Sequence, residues 1–200
     1  MAADRVLVER IRAGLHAAAV PDRAPQMQAY MKSSMPYLGV RVPEVRAVVR
    51  AEAKVRPPAS TEALAATSAD LWRAATHREE RYAASALTDI PAARRLQTMA
   101  LLPLYREMIT TGAWWDHVDE VSHRIGGLLV AFPAELAPTL REWARAPDKW
   151  LRRTDPDFFL RKGIGWALRD YARTDPDWVL AFAEAHELSP LSRREALKHL

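Results

Sequence analysis

Cysteine is absent from the 200 residues, which excludes disulfides and thiolate metal sites. Glycine is scarce at 7 residues. No stretch alternates between apolar and polar with period two over a useful length, so nothing reads as a half-buried strand. No apolar run approaches membrane length, and the opening "MAADRVLVERIRAGL" is an amphipathic helix pattern rather than a signal peptide. A soluble, intracellular protein is expected. The six histidines (16, 77, 117, 123, 186 and 199) are scattered, with no HExxH spacing. Neither a metal site nor a cofactor is therefore expected. The net charge of +4 is modest. It permits a polyanionic partner without demanding one.

What is present favours helix. Ala, Leu, Arg and Glu are abundant, and 49% of residues are hydrophobic, enough to build a core. The 14 prolines fit an all-α chain only if they punctuate many short helices. The periodicity predicts helices over 3–19, 24–35, 43–55, 61–75, 78–89, 92–110, 114–131, 134–146, 148–154, 156–173, 176–186 and 191–199. "TDPD" occurs at 154–157 and again at 174–177, where Asp155 or Asp175 can cap and Pro156 or Pro176 then fits the first helical position. Ser192 and Glu195 match a capping box. Many helices joined by short turns suggest stacked antiparallel pairs, an α-solenoid with a concave groove, running as one domain over 1–200. A compact helical bundle is the alternative.

Two stretches carry chemistry. On a helix over 114–131, Trp114, Val118, Val121, Ile125 and Leu128 form the apolar stripe. Trp115 is turned about 100° from that stripe, and Asp119 lies one turn further along the face of Trp115. The plain reading is a packed Trp beside a surface ion pair. The second stretch, "LRKGIGWALRDYAR" at 160–173, shifts the balance. Leu160, Ile164, Leu168 and Tyr171 mark its apolar side, while Lys162, Trp166, Arg169 and Arg173 share another face. A tryptophan among three cations suits a sugar-phosphate chain. "KWLRRT" at 149–154 adds Arg152 and Arg153.

Taken together, "YMKSSMPYLGVRVPEVR" at 30–46, "AWWDHVDEV" at 113–121, "WLRRT" at 150–154, "KGIGWALRDYART" at 162–174 and "ELSPLSRREALKHL" at 187–200 resemble the DNA alkylation repair family, the AlkD-like HEAT-repeat DNA glycosylases. The resemblance implies HEAT-like helix pairs, a concave groove for double-stranded DNA, and excision of cationic purines alkylated at N3 or N7. It places the catalytic carboxylate on Asp119 and sugar-facing tryptophans on Trp115 and Trp166. It places DNA contacts on Arg153 and Arg169, and a tyrosine on the lesion side of the groove on Tyr30; Lys32, Lys162 and Arg173 are further candidate DNA contacts. One departure stands out. Between Thr154 and "DPDFFLRKGIGW" about a helix and a half of the family pattern is missing; a real deletion would change the distance from Arg153 to Trp166. Either the chain carries a deletion or a segment has dropped out of the sequence.

The implied chemistry suits the residues. A base alkylated at N3 or N7 is already a good leaving group, so the protein must chiefly stabilise oxocarbenium character on the deoxyribose. No lysine is placed for Schiff-base lyase chemistry, so a monofunctional enzyme is expected, and a monomer in a cytoplasmic, nucleoid-associated setting. The resemblance implies that it works without base flipping. A non-catalytic nucleic-acid-binding scaffold and a protein-binding helical repeat are the rival readings. Asp119 beside Trp115 argues against the first, because a carboxylate weakens plain phosphate binding. Trp166 among cations argues against the second.

Overall fold

A computed structural model describes residues 2–152, 168, 169 and 171–200. The described elements are helical, and no strand occurs among them. The chain divides into two compact units, one up to Leu136 and one from Ala137 onward.

The first unit holds α1 (Arg5–Ala17), α2 (Ala24–Met31), α3 (Val42–Val55), α4 (Thr61–Arg73), α5 (Arg78–Leu87), α6 (Leu102–Gly112) and α7 (Trp115–Ala131). Helix α1 packs on α3, α4 and α5, and α5 in turn packs on α3 and α4. Helix α6 pairs with α7, and α7 also touches α5. The apolar stripes supply the core: Leu7, Ile11 and Leu15 of α1, Val45 and Val49 of α3, Leu64 and Leu71 of α4, and Val118, Val121, Ile125 and Leu128 of α7 are all buried. Local chemistry sets several starts. Asp4 caps α1 by accepting from the Leu7 N–H at 3.1 Å, and Ser60 caps α4 by accepting from the Ala63 N–H at 3.2 Å.

The loop between α2 and α3 is fixed by an unexpected group. Glu79, in the first turn of α5, is fully buried. Its carboxylate accepts the backbone N–H groups of Leu38, Gly39 and Val40 at 3.0, 2.9 and 3.1 Å. Three such bonds offset the cost of burying a carboxylate. Gly39 has φ +84°, and a Cβ there would lie 2.1 Å from the Val20 carbonyl oxygen. Only glycine fits that crossing.

In the second unit, α8 (Pro133–Arg145) begins in the first and continues here, followed by the short α9 (Lys149–Arg152), α10 (Pro176–Ala185) and α11 (Pro190–Ala196). Val179, Ala196 and Leu168 form one buried cluster of it, with Ala172, Phe182, Leu188 and Leu197 packed against them. Asp175 caps α10 as expected, accepting from the Trp178 N–H at 2.9 Å with Pro176 at the first position. Asp155 and Pro156 lie outside the described residues.

Four local expectations are corrected. The segment 92–110 is not one helix: 3₁₀ turns at Pro91–Leu96 and Met99–Leu101 precede α6, and Gln97 breaks the register by donating its side-chain amide to the Thr88 carbonyl at 2.8 Å. Helix α2 stops at Met31 rather than 35, because Lys32 adopts a left-handed conformation at φ 49°. Ser192 is not the cap of the last helix. It is buried inside α11, and Ser189 caps by accepting from the Ser192 N–H at 3.0 Å. Tyr171, expected on an apolar side, is 45% exposed and sets its edge against Trp178.

Candidate functional site

The turn from α6 to α7 aims the tandem tryptophans. Ala113 ends α6 in a left-handed conformation at φ 43°, its N–H bonded to the Ile109 carbonyl at 3.0 Å. A Cβ on the preceding Gly112 would stand 3.0 Å from the Trp72 ring and 3.1 Å from the His117 side chain, so a small residue lets α6 and α7 close up. Trp114 is therefore not the first residue of the helical stripe. It is the extended residue before α7, at φ −149°, and is half-buried. Trp115 opens the helix and is 41% exposed.

From Trp115, the same face of α7 carries Asp119 and then His123, at spacings of four. All three line one open cleft of about 310 Å³. Its other walls are Met31 of α2, Val42, Val45 and Arg46 of α3, and Tyr82 and Ser85 of α5, with Asp116 and Glu120 of α7 beside them. Four helices of the first unit thus converge on the Trp115–Asp119 face.

Asp116 and Glu120, two carboxylates of the cleft, are held by arginines. Arg78 is buried and donates to both oxygens of Asp116, with Nη2 at 2.8 and 2.9 Å. Tyr82 donates its hydroxyl to Asp116 at 2.7 Å, and Tyr37 lies 2.8 Å behind it, completing a chain of hydroxyls. Burial opposes ionisation of Asp116, but the Tyr82 hydroxyl and Arg78 outweigh it and hold the carboxyl below the usual aspartate range. Burial pushes Tyr37 up to about 12, and Tyr82 is pushed up as well, so both stay neutral donors at neutral pH. Glu120 is gripped by Arg124 at 2.8 Å and Arg46 at 2.7 Å; burial is again outweighed, and its carboxyl is lowered. Asp119 is half-buried at the cleft wall, in register with the exposed indole.

The remaining expected positions divide by location. Tyr30 is 77% exposed at the end of α2, and Lys32 is exposed just beyond it; both are chain neighbours of Met31, which lines the cleft. Arg169 and Arg173 belong to the second unit. There Arg169 is partly neutralised by Glu195 at 3.2 Å, and Arg173 is exposed. Trp166, Arg153 and Lys162 lie outside the described residues. Sequence reasoning missed the Arg78–Tyr82–Asp116 network and the role of Arg46. The only available signal was Asp116 itself, next to Trp115 in the first turn of its helix. In the charged run "REERY", Arg78, Glu79 and Glu80 are buried.

The cleft offers an open aromatic face, a carboxylate one helical turn away, and surrounding charges fixed by internal pairs. Among the described residues, it gathers no set of ligands close enough to hold a metal. No described helix is long and apolar enough to cross a membrane.

The chain is similar in structure to a predicted DNA alkylation repair enzyme from Enterococcus faecalis, with a TM-score of 0.66 and 26% identity over 91% of this chain and 96% of that one. No curated protein is matched. The profile of the family described as DNA alkylation repair enzyme matches residues 11–154 and 154–200, two stretches that meet at Thr154. With nearly its whole length matched, the chain belongs to the DNA alkylation repair enzyme family.

Proposed function

We propose that this protein is a monofunctional DNA glycosylase that removes cationic N3- and N7-alkylated purines from duplex DNA by hydrolysing the N-glycosidic bond. The observation that carries the reading is the pairing of exposed Trp115 with Asp119, one turn along the same helix face, in one open cleft. Asp119 is preferred to its two acidic neighbours by that register.

In the proposed reaction the alkylated base already carries positive charge and departs with the bonding electrons without prior protonation. Positive character grows on the deoxyribose as the bond lengthens. The Asp119 carboxylate stabilises it and orients a water whose oxygen bonds to C1′, while the water's proton passes to the carboxylate or to solvent. The Trp115 face lies against the electropositive sugar hydrogens, an interaction akin to cation–π attraction. Trp166 is assigned the same role on the other side of the sugar. Tyr30, Lys32, Arg169, Arg173, Arg153 and Lys162 are assigned to the backbone and the lesion side, on a groove of HEAT-like helix pairs in a monomer. Contacts of that kind grip sugar and phosphate and leave the base unflipped.

Single-turnover release of 7-methylguanine from methylated duplex DNA tests the reading. Asp119→Asn should slow release about a hundredfold to a thousandfold, the usual effect of removing one aimed electrostatic partner. Its DNA affinity should stay equal or rise, since a negative charge leaves a phosphate-binding surface. Trp115→Ala should lower both affinity and rate. An Asp119→Asn protein that releases base at the wild-type rate would overturn the mechanism, and a wild type that releases none would make the chain a scaffold.

A further inference from the structure

Where the C-terminal turn of α1 meets the start of α5, three metal-ligating side chains converge on the first unit. His16 lies in the last turn of α1, His77 precedes the first residue of α5, and Glu80 lies in its first turn. One ligand atom from each lies within 4.8 Å of the other two. We propose that His16, His77 and Glu80 form a binding site for a divalent transition metal of zinc type, joining α1 to α5. It is separate from the Trp115–Asp119 cleft and independent of the function proposed above.

The geometry is close to what such an ion requires. Two ligands on a tetrahedral zinc at about 2.0–2.1 Å stand roughly 3.3–3.4 Å apart. His77 Nδ1 and Glu80 Oε1 are 3.6 Å apart. The His16 and His77 rings meet edge to face with centroids 5.6 Å apart, and a ring nitrogen of His16 lies within 4.8 Å of the other two ligand atoms. Glu80 is 2% exposed, and its two oxygens are differentiated. Oε2 is held by Arg12 Nε at 3.1 Å, which fixes the carboxylate as an outer-shell donor does at known sites. Oε1 faces His77 and accepts the Thr76 hydroxyl at 2.9 Å. That hydroxyl also lies 3.0 Å from His77 Nδ1, and it can rotate aside or remain as an outer partner. The C-terminal end of α1 favours a cation.

Arg12 and the N-terminal end of α5 oppose one. Affinity should therefore be weaker than that of a thiolate site. Two imidazoles and one carboxylate select Zn²⁺, Co²⁺, Ni²⁺ or Cu²⁺ over Mg²⁺ and Ca²⁺, which prefer all-oxygen sets. Three protein ligands leave a fourth position for water.

The experiment uses full-length protein without a histidine tag, stripped with chelator and desalted. Zn²⁺ is titrated calorimetrically and Co²⁺ is followed by its visible absorption, with excess Mg²⁺ present. The expected result is one equivalent bound, a tetrahedral-type Co²⁺ spectrum and a raised Tm at saturating Zn²⁺. His16→Gln, at an exposed position, and His77→Gln should each weaken binding at least tenfold while leaving the metal-free circular dichroism unchanged. Absence of saturable binding by folded wild type would overturn the proposal. So would unchanged affinity in both variants, which would put the ion elsewhere. Base release is not part of the readout, so failure here leaves the glycosylase reading untouched.

Discussion

Two adjacent residues of α7 show how burial divides the work. Asp116 has an internal partner, and Asp116→Asn would leave Arg78 buried with its charge unmatched. Breaking a buried pair in this way typically costs about 3–5 kcal/mol, so this variant should melt at a markedly lower temperature, whereas Asp119→Asn should lose rate in the folded protein. Activity per folded molecule, compared between the two, separates a supporting carboxylate from a reacting one. His117 is the other informative neighbour. It is 1% exposed, packed edge-on to Trp72 with centroids 4.8 Å apart, and burial pushes its imidazole down to about 3 from the usual 6.5. The folded protein therefore holds it neutral, while the unfolded chain takes up a proton below about pH 6.5. Stability is fully present above that pH and falls at about 1.4 kcal/mol per pH unit as the pH drops toward the folded value. Asp116, whose carboxyl is lowered, adds its own loss only below the ordinary aspartate range. His117→Phe should remove the dependence between pH 6.5 and 4.5 and barely change the melting temperature at pH 8. A wild-type melting temperature that stays flat across that interval would contradict a buried neutral imidazole.

At the scale of elements, the stripes of apolar residues were legible because burial imposes a period. The buried face of α7, the paired placement of Trp115 and Asp119, and the Asp175–Pro176 start of α10 all follow from residues close in sequence. What escaped was set by distant partners. The left-handed stop at Lys32, the 3₁₀ turns before α6 and the burial of Arg78, Glu79 and Glu80 each depend on groups brought up from other segments. The His16–His77–Glu80 cluster was invisible for the same reason: two helices supply it, so no local ligand spacing betrays it, and the histidines look scattered. The loop anchored by Glu79 gives the sharpest test at this scale. Gly39→Ala must place a Cβ against the Val20 carbonyl and hold a left-handed backbone, for a combined cost of about 2–4 kcal/mol. Denaturant titration should show the midpoint falling with an unchanged slope. A midpoint equal to the wild type would mean that the α2–α3 loop relaxes freely.

At the scale of the whole molecule, the modest net charge of +4 matters less than where cations remain available to a polyanion. Many arginines are spent internally: Arg78 on Asp116, Arg124 on Glu120, Arg73 on Glu107, Arg169 on Glu195. Duplex DNA binding, if it rests on a limited set of phosphate contacts, should weaken with salt along a line whose slope counts those contacts. Lys32, proposed above as a DNA contact, offers a clean test of one of them. It is exposed beside the cleft-lining Met31, and its left-handed backbone is one that glycine adopts without strain. Lys32→Gly should therefore hold or slightly raise the melting temperature while lowering the slope of log K against log salt by about one unit. Single-turnover base release at saturating protein should be unaffected, because Lys32 is assigned to the backbone and not to the reacting sugar. Fluorescence anisotropy across a salt series, on methylated and unmethylated duplexes alike, measures the slope. The same shift on both would fit a contact to the phosphate backbone. An unchanged slope with intact folding would remove Lys32 from the DNA-binding surface, and a shift confined to the methylated duplex would move it to the lesion.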